Sequence, residues 1–185
     1  MLNGGDGSRG YFVLNSALFL DRDGVINRDD GYTHIWNEEL LIDGVCDLIR
    51  RFKEKKFLVI VVTNQSGIGR GLFSSEQFHL FMYEMRLSLQ KYSANIDDYY
   101  HCPCLPSVPL CWCRKPNPGM LTKAISKYNI APEQSILVGD KVSDILAASS
   151  ANVSKRYLFS QDTLAGSKRI NGKIYEVVNS LSEVN

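Results

Sequence analysis

Three short polar runs each close an apolar segment of the 185-residue chain: Asp21 and Asp23 in FLDRDGVIN, Thr63 and Asn64 in VVTNQSG, and Asp140 in VGDKVSD. Carboxylates two residues apart on extended backbone project to the same side, and a bound cation relieves their repulsion. Oxygen donors of this kind suit Mg²⁺, which takes one or two carboxylates together with substrate phosphate. Asp140 can complete the set. A lone D-x-D-G is equally an acidic turn, but its recurrence with two further polar strand ends argues for a shared site.

The second reactive group is sulfur. Cys102, Cys104, Cys111 and Cys113 form C-x-C…C-x-C within residues 101–116, a loop broken by Pro103, Pro106 and Pro109. Four thiolates make a closed tetrahedral Zn²⁺ site, which is structural rather than catalytic. Buried thiols or two disulfides are the alternatives. In a loop that cannot pack a core of its own, a metal staple is the economical reading, and it would hold the following Arg114 and Lys115 in place. Cys46, on the inner side of a helix, reads as a core thiol.

Positioning these groups falls to the elements around them. Residues 16–21 read as a buried strand, and residues 57–65 as a second, nearly all apolar strand followed by a Gly-rich loop. Continuous apolar strands are buried on both faces, as in parallel sheets. Residues 43–55 place Val45, Leu48, Ile49 and Phe52 at helical spacing. Ser75–Lys91 does the same with Phe78, Phe81, Met82, Met85 and Leu89, capped by Ser74 or Ser75.

A short strand leads into the cysteine loop, and a helix follows from Pro118 through Tyr128 with Leu121, Ala124, Ile125 and Tyr128 inward. An apolar strand, acidic end and new helix come next, then a strand over Lys155–Phe159 and a weak C-terminal element. Alternation of this kind predicts an α/β, doubly wound, Rossmann-like and mainly parallel sheet flanked by helices. Ligands of such sheets bind beyond the carboxyl ends of the strands, where Asp21, Thr63, Asn64 and Asp140 all fall.

Net charge is +1, from 21 basic and 20 acidic side chains, without the basic excess that nucleic-acid binding requires. No apolar run approaches the ~20 residues of a membrane span, and the first residues lack the pattern of a signal peptide. The expectation is a single cytoplasmic domain over residues 1–185, monomeric, with a loose leader over 1–15. Its partner would be a small molecule rather than nucleic acid or membrane. In that compartment thiols stay reduced, which favours metal over disulfides.

Taken in order, DRDGV, Thr63 of VVTN, Lys115 of RKP and GDKVSD resemble the four motifs of the haloacid dehalogenase superfamily, across residues 17–159. The resemblance implies Asp21 as a nucleophile that forms an aspartyl-phosphate and Asp23 as the acid and base. Mg²⁺ would be held by Asp21, the Asp23 carbonyl and Asp140. Thr63, Asn64 and Lys115 would bind the phosphoryl oxygens. Asp144 would orient Lys141 or a metal-bound water.

A zinc loop running into C-R-K-P-x-P-G-M resembles two related groups, the D-glycero-D-manno-heptose-1,7-bisphosphate phosphatases and the histidinol-phosphate phosphatases. Both are capless, and this chain has no cap-sized insertion between Asn27 and Phe57 or between Gly71 and Asp97. DRDGVIN followed by acid and Gly-Tyr is similar to the heptose group. That match implies a substrate pocket of Asp29, Asp30, Gly31, Tyr32, Thr63, Asn64, Gln65 and Ser66. Arg114 would sit on the retained sugar phosphate, and Lys141 beside the metal.

One departure concerns the zinc set, where Cys104 stands in place of the group's histidine; His101 is a spare ligand. The leading expectation is a Mg²⁺-dependent, Zn²⁺-stapled sugar-bisphosphate phosphatase that releases the 7-phosphate of heptose 1,7-bisphosphate and keeps the anomeric one, supplying nucleotide-activated heptose for lipopolysaccharide, capsule or surface-layer glycans. Histidinol phosphate is the alternative substrate, and an inactive zinc-stapled binding module the alternative class.

Overall fold

The computed structural model describes residues 14–185. Most of the leader expected over residues 1–15 lies outside them, and Asn15 already bridges to Ile130. In chain order the elements are β1 (Ala17–Leu20), α1 (Val45–Glu54), β2 (Leu58–Asn64), α2 (Ser66–Gly69), α3 (Ser75–Lys91) and β3 (Asp98–Cys102). Then come α4 (Gly119–Tyr128), β4 (Ile136–Gly139), α5 (Val142–Ser150), β5 (Lys155–Phe159), β6 (Gly166–Ile170) and β7 (Lys173–Val178).

The seven strands form one sheet in the order β3-β2-β1-β4-β5-β7-β6, parallel except for the antiparallel β6–β7 pair. The fold is therefore the Rossmann-like α/β sheet anticipated from the alternation. Along β1 the side chains alternate between two cores. Leu18 and Leu20 join Val59, Val61, Leu48, Phe52, Phe81 and Met85 beneath α1 and α3. Ala17 and Phe19 join Ile60, Val62, Leu137, Leu121, Ala124 and Ile145 beneath α4 and α5. Each large apolar side chain so buried contributes about 1.5–3 kcal/mol, which is why the centre of the sheet is apolar on both faces.

Local signals set the helix limits. Ser74 caps α3 by accepting from the Gln77 N–H at 3.2 Å, while Gln77 Oε1 accepts from the Ser74 N–H at 2.8 Å. This reciprocal cap is worth about 1 kcal/mol. Within α4, Leu121 and Ala124 are buried, whereas Ile125 and Tyr128 are only partly covered.

Two elements were not anticipated. The short α2 turns the Gly-rich loop, and β6 pairs with β7 through Asn171 and Gly172, whose φ values of 49° and 74° suit a tight hairpin turn. Strand β6 reads GSKRI and lacks apolar alternation because it is an outer edge, so only the Asn-Gly pair advertised it. No helix among the described residues is long and apolar enough to cross a membrane.

From β1 the chain runs outward to β2 and β3 on one side, and from β4 to β5 on the other. The reversal between β1 and β4 opens a crevice at the strand ends. Asp21, Asn64 and Asp140 stand there, and no cap-sized element intervenes: only the short turn Glu38–Leu40 separates β1 from α1.

Candidate active site

Asp21 extends β1 by one residue, its N–H donating to the Val138 carbonyl at 3.0 Å. Its carboxylate therefore emerges at the crevice floor, 2.9 Å from Lys115 Nζ. The same ammonium lies 2.5 Å from Asp144 and donates to the Val62 carbonyl at 2.8 Å. All three charged groups are buried. Burial pushes Asp21 up to about 6, with Lys115 opposing and the Asp144 and Asp23 charges adding to the rise. For Lys115 burial works the other way, yet Asp144 and Asp21 prevail and hold the ammonium above its usual range.

Asn64 clamps the Lys115 peptide at both ends. Its Oδ1 accepts from the Lys115 N–H at 3.0 Å, and its Nδ2 donates to the Lys115 carbonyl at 3.1 Å. The amide expected on a phosphoryl oxygen borders the cavity and also places the lysine. Asp144, expected to orient Lys141 or a water, accepts from the Lys141 backbone N–H at 3.0 Å, while its side-chain charge is matched to Lys115. It reaches this position because Gly139 offers no Cβ, which would meet the Asp144 side chain.

Asp23 is held from three sides. Arg22 donates through Nε at 3.0 Å and Nη2 at 2.6 and 2.9 Å, Asn27 Nδ2 at 3.0 Å and Gln65 Nε2 at 2.8 Å. Gln65 Nε2 also donates to Thr63 Oγ1 at 2.8 Å, joining the two strand ends. Sequence reasoning passed over Arg22 and Asn27. The available signal was a guanidinium between two acids at a buried strand end, which must be paired to be tolerated.

A cavity of about 400 Å³ opens above these groups. Asp21, Asp23, Asp29, Gly31, Tyr32, Thr63, Asn64, Gln65, Ser66, Arg114, Lys115 and Lys141 border it. Gly67 and Ser143 border it too and had not been singled out. Asp30 is not brought to it: that side chain is exposed, and its N–H donates to Thr33 Oγ1 at 3.3 Å. Lys141 Nζ spans Asp29 at 3.2 Å and Asp140 at 3.3 Å, closing one edge. Arg114 donates from Nη1 to the Cys104 carbonyl at 3.0 Å, so the cysteine loop orients it.

The residues present fit a cation. Oxygens of Asp21, Asp140 and Asp144 lie within 4.8 Å of one another, and Asp140 Oδ1 is a buried acceptor without a donor. Burial, then the Asp21 charge, raises Asp140 to about 6 against the pull of Lys141. In Asp21 and Asp140 alike, burial is the largest cause and a nearby carboxylate adds to the rise. Asp140 fits against the D-x-D-G turn because Gly24, at φ +83°, carries no Cβ to meet its carboxylate. Gly24→Ala is expected to lower stability by about 1–3 kcal/mol and to weaken Mg²⁺ binding by displacing Asp140. Urea unfolding and a Mg²⁺ titration check this, and wild-type values in both would contradict the fit.

Sulfur atoms of Cys102, Cys104, Cys111 and Cys113 also lie within 4.8 Å of one another. Cys102 and Cys113 are 2.7 Å apart and Cys111 is 3.5 Å from each, all beyond a disulfide bond. Desolvation raises Cys102, and a hydrogen bond to Cys111 raises Cys104. At Cys111 desolvation is outweighed by hydrogen bonds from Cys104, Cys102 and the Arg114 N–H, which bring it down to about 7. His101 is not part of the cluster. As the neighbour of Cys102 in β3 it faces the other side of the sheet, against Phe78 at a ring separation of 4.4 Å. Cys46 is half-buried at the margin of the core rather than inside it.

Comparison with known proteins places this geometry. A family profile described as haloacid dehalogenase-like hydrolase matches residues 7–152. The D-glycero-beta-D-manno-heptose-1,7-bisphosphate 7-phosphatase of Haemophilus influenzae is 43% identical over 150 residues, 78% of this chain and 82% of that protein. Its Escherichia coli counterpart is 44% identical over 148 residues, 77% and 78% of the two chains. Among solved structures, the D,D-heptose 1,7-bisphosphate phosphatase of B. bronchiseptica, complexed with magnesium and phosphate, superposes with a TM-score of 0.76. That pair is 28% identical over 91% of this chain and 95% of the other.

Proposed function

This chain belongs to the haloacid dehalogenase-like hydrolases, and we propose that it hydrolyses the 7-phosphate of D-glycero-D-manno-heptose 1,7-bisphosphate, leaving the anomeric phosphate in place. The observation that carries the substrate is the 43–44% identity to relatives bearing that activity in their names, over about four-fifths of the chain. The cavity agrees with a doubly phosphorylated ligand. Lys115 is buried beside the nucleophile, and Arg114 and Lys141 supply further positive charge on the same walls.

Asp21 attacks phosphorus, and the bond from phosphorus to the C7 oxygen breaks as Asp23 passes a proton to that oxygen. Water then attacks the aspartyl-phosphate, giving its proton to Asp23, and inorganic phosphate leaves. Thr63 and Lys115 balance charge on the transferring group, and Arg114 grips the retained phosphate through its planar fork. Asp21, Asp140 and the Asp23 carbonyl would hold Mg²⁺, which when bound neutralises charge developing on the phosphoryl oxygens. In the crystal structure of the B. bronchiseptica phosphatase, magnesium and phosphate are bound together.

The four cysteines would hold Zn²⁺, with Cys104 completing an all-sulfur set. Purified protein is expected to carry about one zinc per chain by elemental analysis. Cys113→Ser should lose most of it and should loosen Arg114 through the Cys104 carbonyl. A full zinc content in that variant would exclude the site.

A phosphate-release panel tests the substrate. Heptose 1,7-bisphosphate should surpass histidinol phosphate and simple hexose phosphates in kcat/KM; faster turnover of histidinol phosphate would overturn the assignment.

A further inference from the structure

We propose that Arg22 is a positioning residue that joins the Asp23 carboxyl to the loop bordering the cavity, so that aiming the proton donor and docking the loop are one arrangement. The inference rests on the acid–base role of Asp23 given above. The Arg22 side chain is 1% exposed. Its Nη2 bonds both Asp23 oxygens, at 2.6 and 2.9 Å, and also donates to the Thr33 carbonyl at 2.8 Å. Thr33 follows Gly31 and Tyr32, which border the cavity. One nitrogen therefore touches the proton donor and the substrate-facing loop together.

The surroundings hold this guanidinium in a single pose. Its carbon lies 4.3 Å from the centre of the Phe81 ring and 5.7 Å from that of Phe78. The Phe81 ring also packs perpendicular to Trp36 at 5.3 Å, and Trp36 Nε1 donates to Ser88 at 2.8 Å. The loop is stapled again where His34 stacks on Phe73 at 5.0 Å. Phe81 thus supports the loop and the guanidinium at once. Meanwhile Nη1 is buried without an acceptor. The bonds the guanidinium does make go to Asp23 and Thr33. Asn27 and Gln65 also donate to Asp23, through short neutral amides.

Leaving-group chemistry separates positioning from simple support. When the electron pair of the breaking phosphorus–oxygen bond goes to a sugar oxygen, that oxygen needs the Asp23 proton. A nitrophenolate, stable without one, needs it far less. Arg22→Lys keeps charge beneath the rings but loses the Nε donor and the planar fork that together fix the Asp23 carboxyl; Arg22→Met removes the bridge. For either variant, kcat/KM, which reports the first phosphoryl transfer only, should fall at least about ten times more on the alkyl ester than on p-nitrophenyl phosphate. Neither should cost more once Asp23 is already Asn, because both changes remove the same step.

Phe81→Leu retains every charge and should show the same selectivity to a smaller degree, which keeps the test open should the arginine variants fold poorly. The alkyl ester is whichever sugar phosphate the wild-type enzyme turns over, so an error in the sugar assignment does not enter. Equal losses on both esters in the folded variants, or additive losses in the Asp23→Asn background, would overturn the proposal. Asp23→Asn lowering kcat/KM equally on both esters would remove the proton-donor reading of Asp23 itself, and the inference with it.

Discussion

Asp21→Asn is expected to reduce phosphate release by at least about 10⁴-fold, the scale on which removal of a nucleophile acts, while the fold stands. The stability half of this expectation follows from the crevice floor. Without a metal, burial raises Asp21 to about 6 from the ordinary 3.8. A carboxylate raised in the folded state destabilises that state at neutral pH, and the cost fades as pH falls through about 6 toward 4. An amide carries no such cost, and Lys115 keeps its partner in Asp144 at 2.5 Å. The melting temperature should therefore hold or rise, a common trade between activity and stability. Acid-quenched wild-type protein should retain labelled phosphate on Asp21, and the variant none. Activity within tenfold of wild type would remove Asp21 from the mechanism.

Lys115→Met should have the largest effect on stability. Lys115 stands between two buried carboxylates, at 2.9 Å from Asp21 and 2.5 Å from Asp144. Removing the cation leaves both without a counter-charge, a situation that costs about 3–5 kcal/mol where buried pairs are broken. Activity should vanish as well, since the same ammonium lies beside Asp21, the proposed nucleophile. Combining Lys115→Met with Asp144→Asn should recover part of the stability and none of the activity, because one of the stranded charges is gone. Urea denaturation of the two single variants and the double gives the coupling directly. A loss below about 1 kcal/mol for Lys115→Met would show that the triad is not the charge-balanced unit described.

Much of the site was legible beforehand because strand ends announce themselves. The apolar runs before Asp21, Thr63 and Asp140 are short and end at turn residues, as buried strands do, and a parallel sheet gathers such ends at one edge. The thiols were legible for a different reason: four cysteines close in sequence in a loop without a core must meet one another. Asp30 was grouped with its neighbours by motif alone, and the left-handed turn at Gly31 and Tyr32, at φ 83° and 54°, sends consecutive side chains in different directions. His101 was offered as a spare ligand by proximity along the chain, and strand alternation turned it away. Strand β6 escaped notice because an edge strand needs no apolar face.

The order of residues by itself determined the central strands and the longer helices, the acidic strand ends, the thiol cluster and the Ser74 cap of α3. Each of these depends on neighbours within a few positions, through backbone geometry and apolar period. Tertiary structure alone decided who pairs with whom: Asp144 with Lys115 across 29 residues of chain, Asn64 with the Lys115 peptide across 51, and Arg22 with the Thr33 carbonyl. Such choices follow from sheet order and from the high cost of leaving a buried charge unmatched, a constraint that acts in space and leaves no periodic trace along the chain.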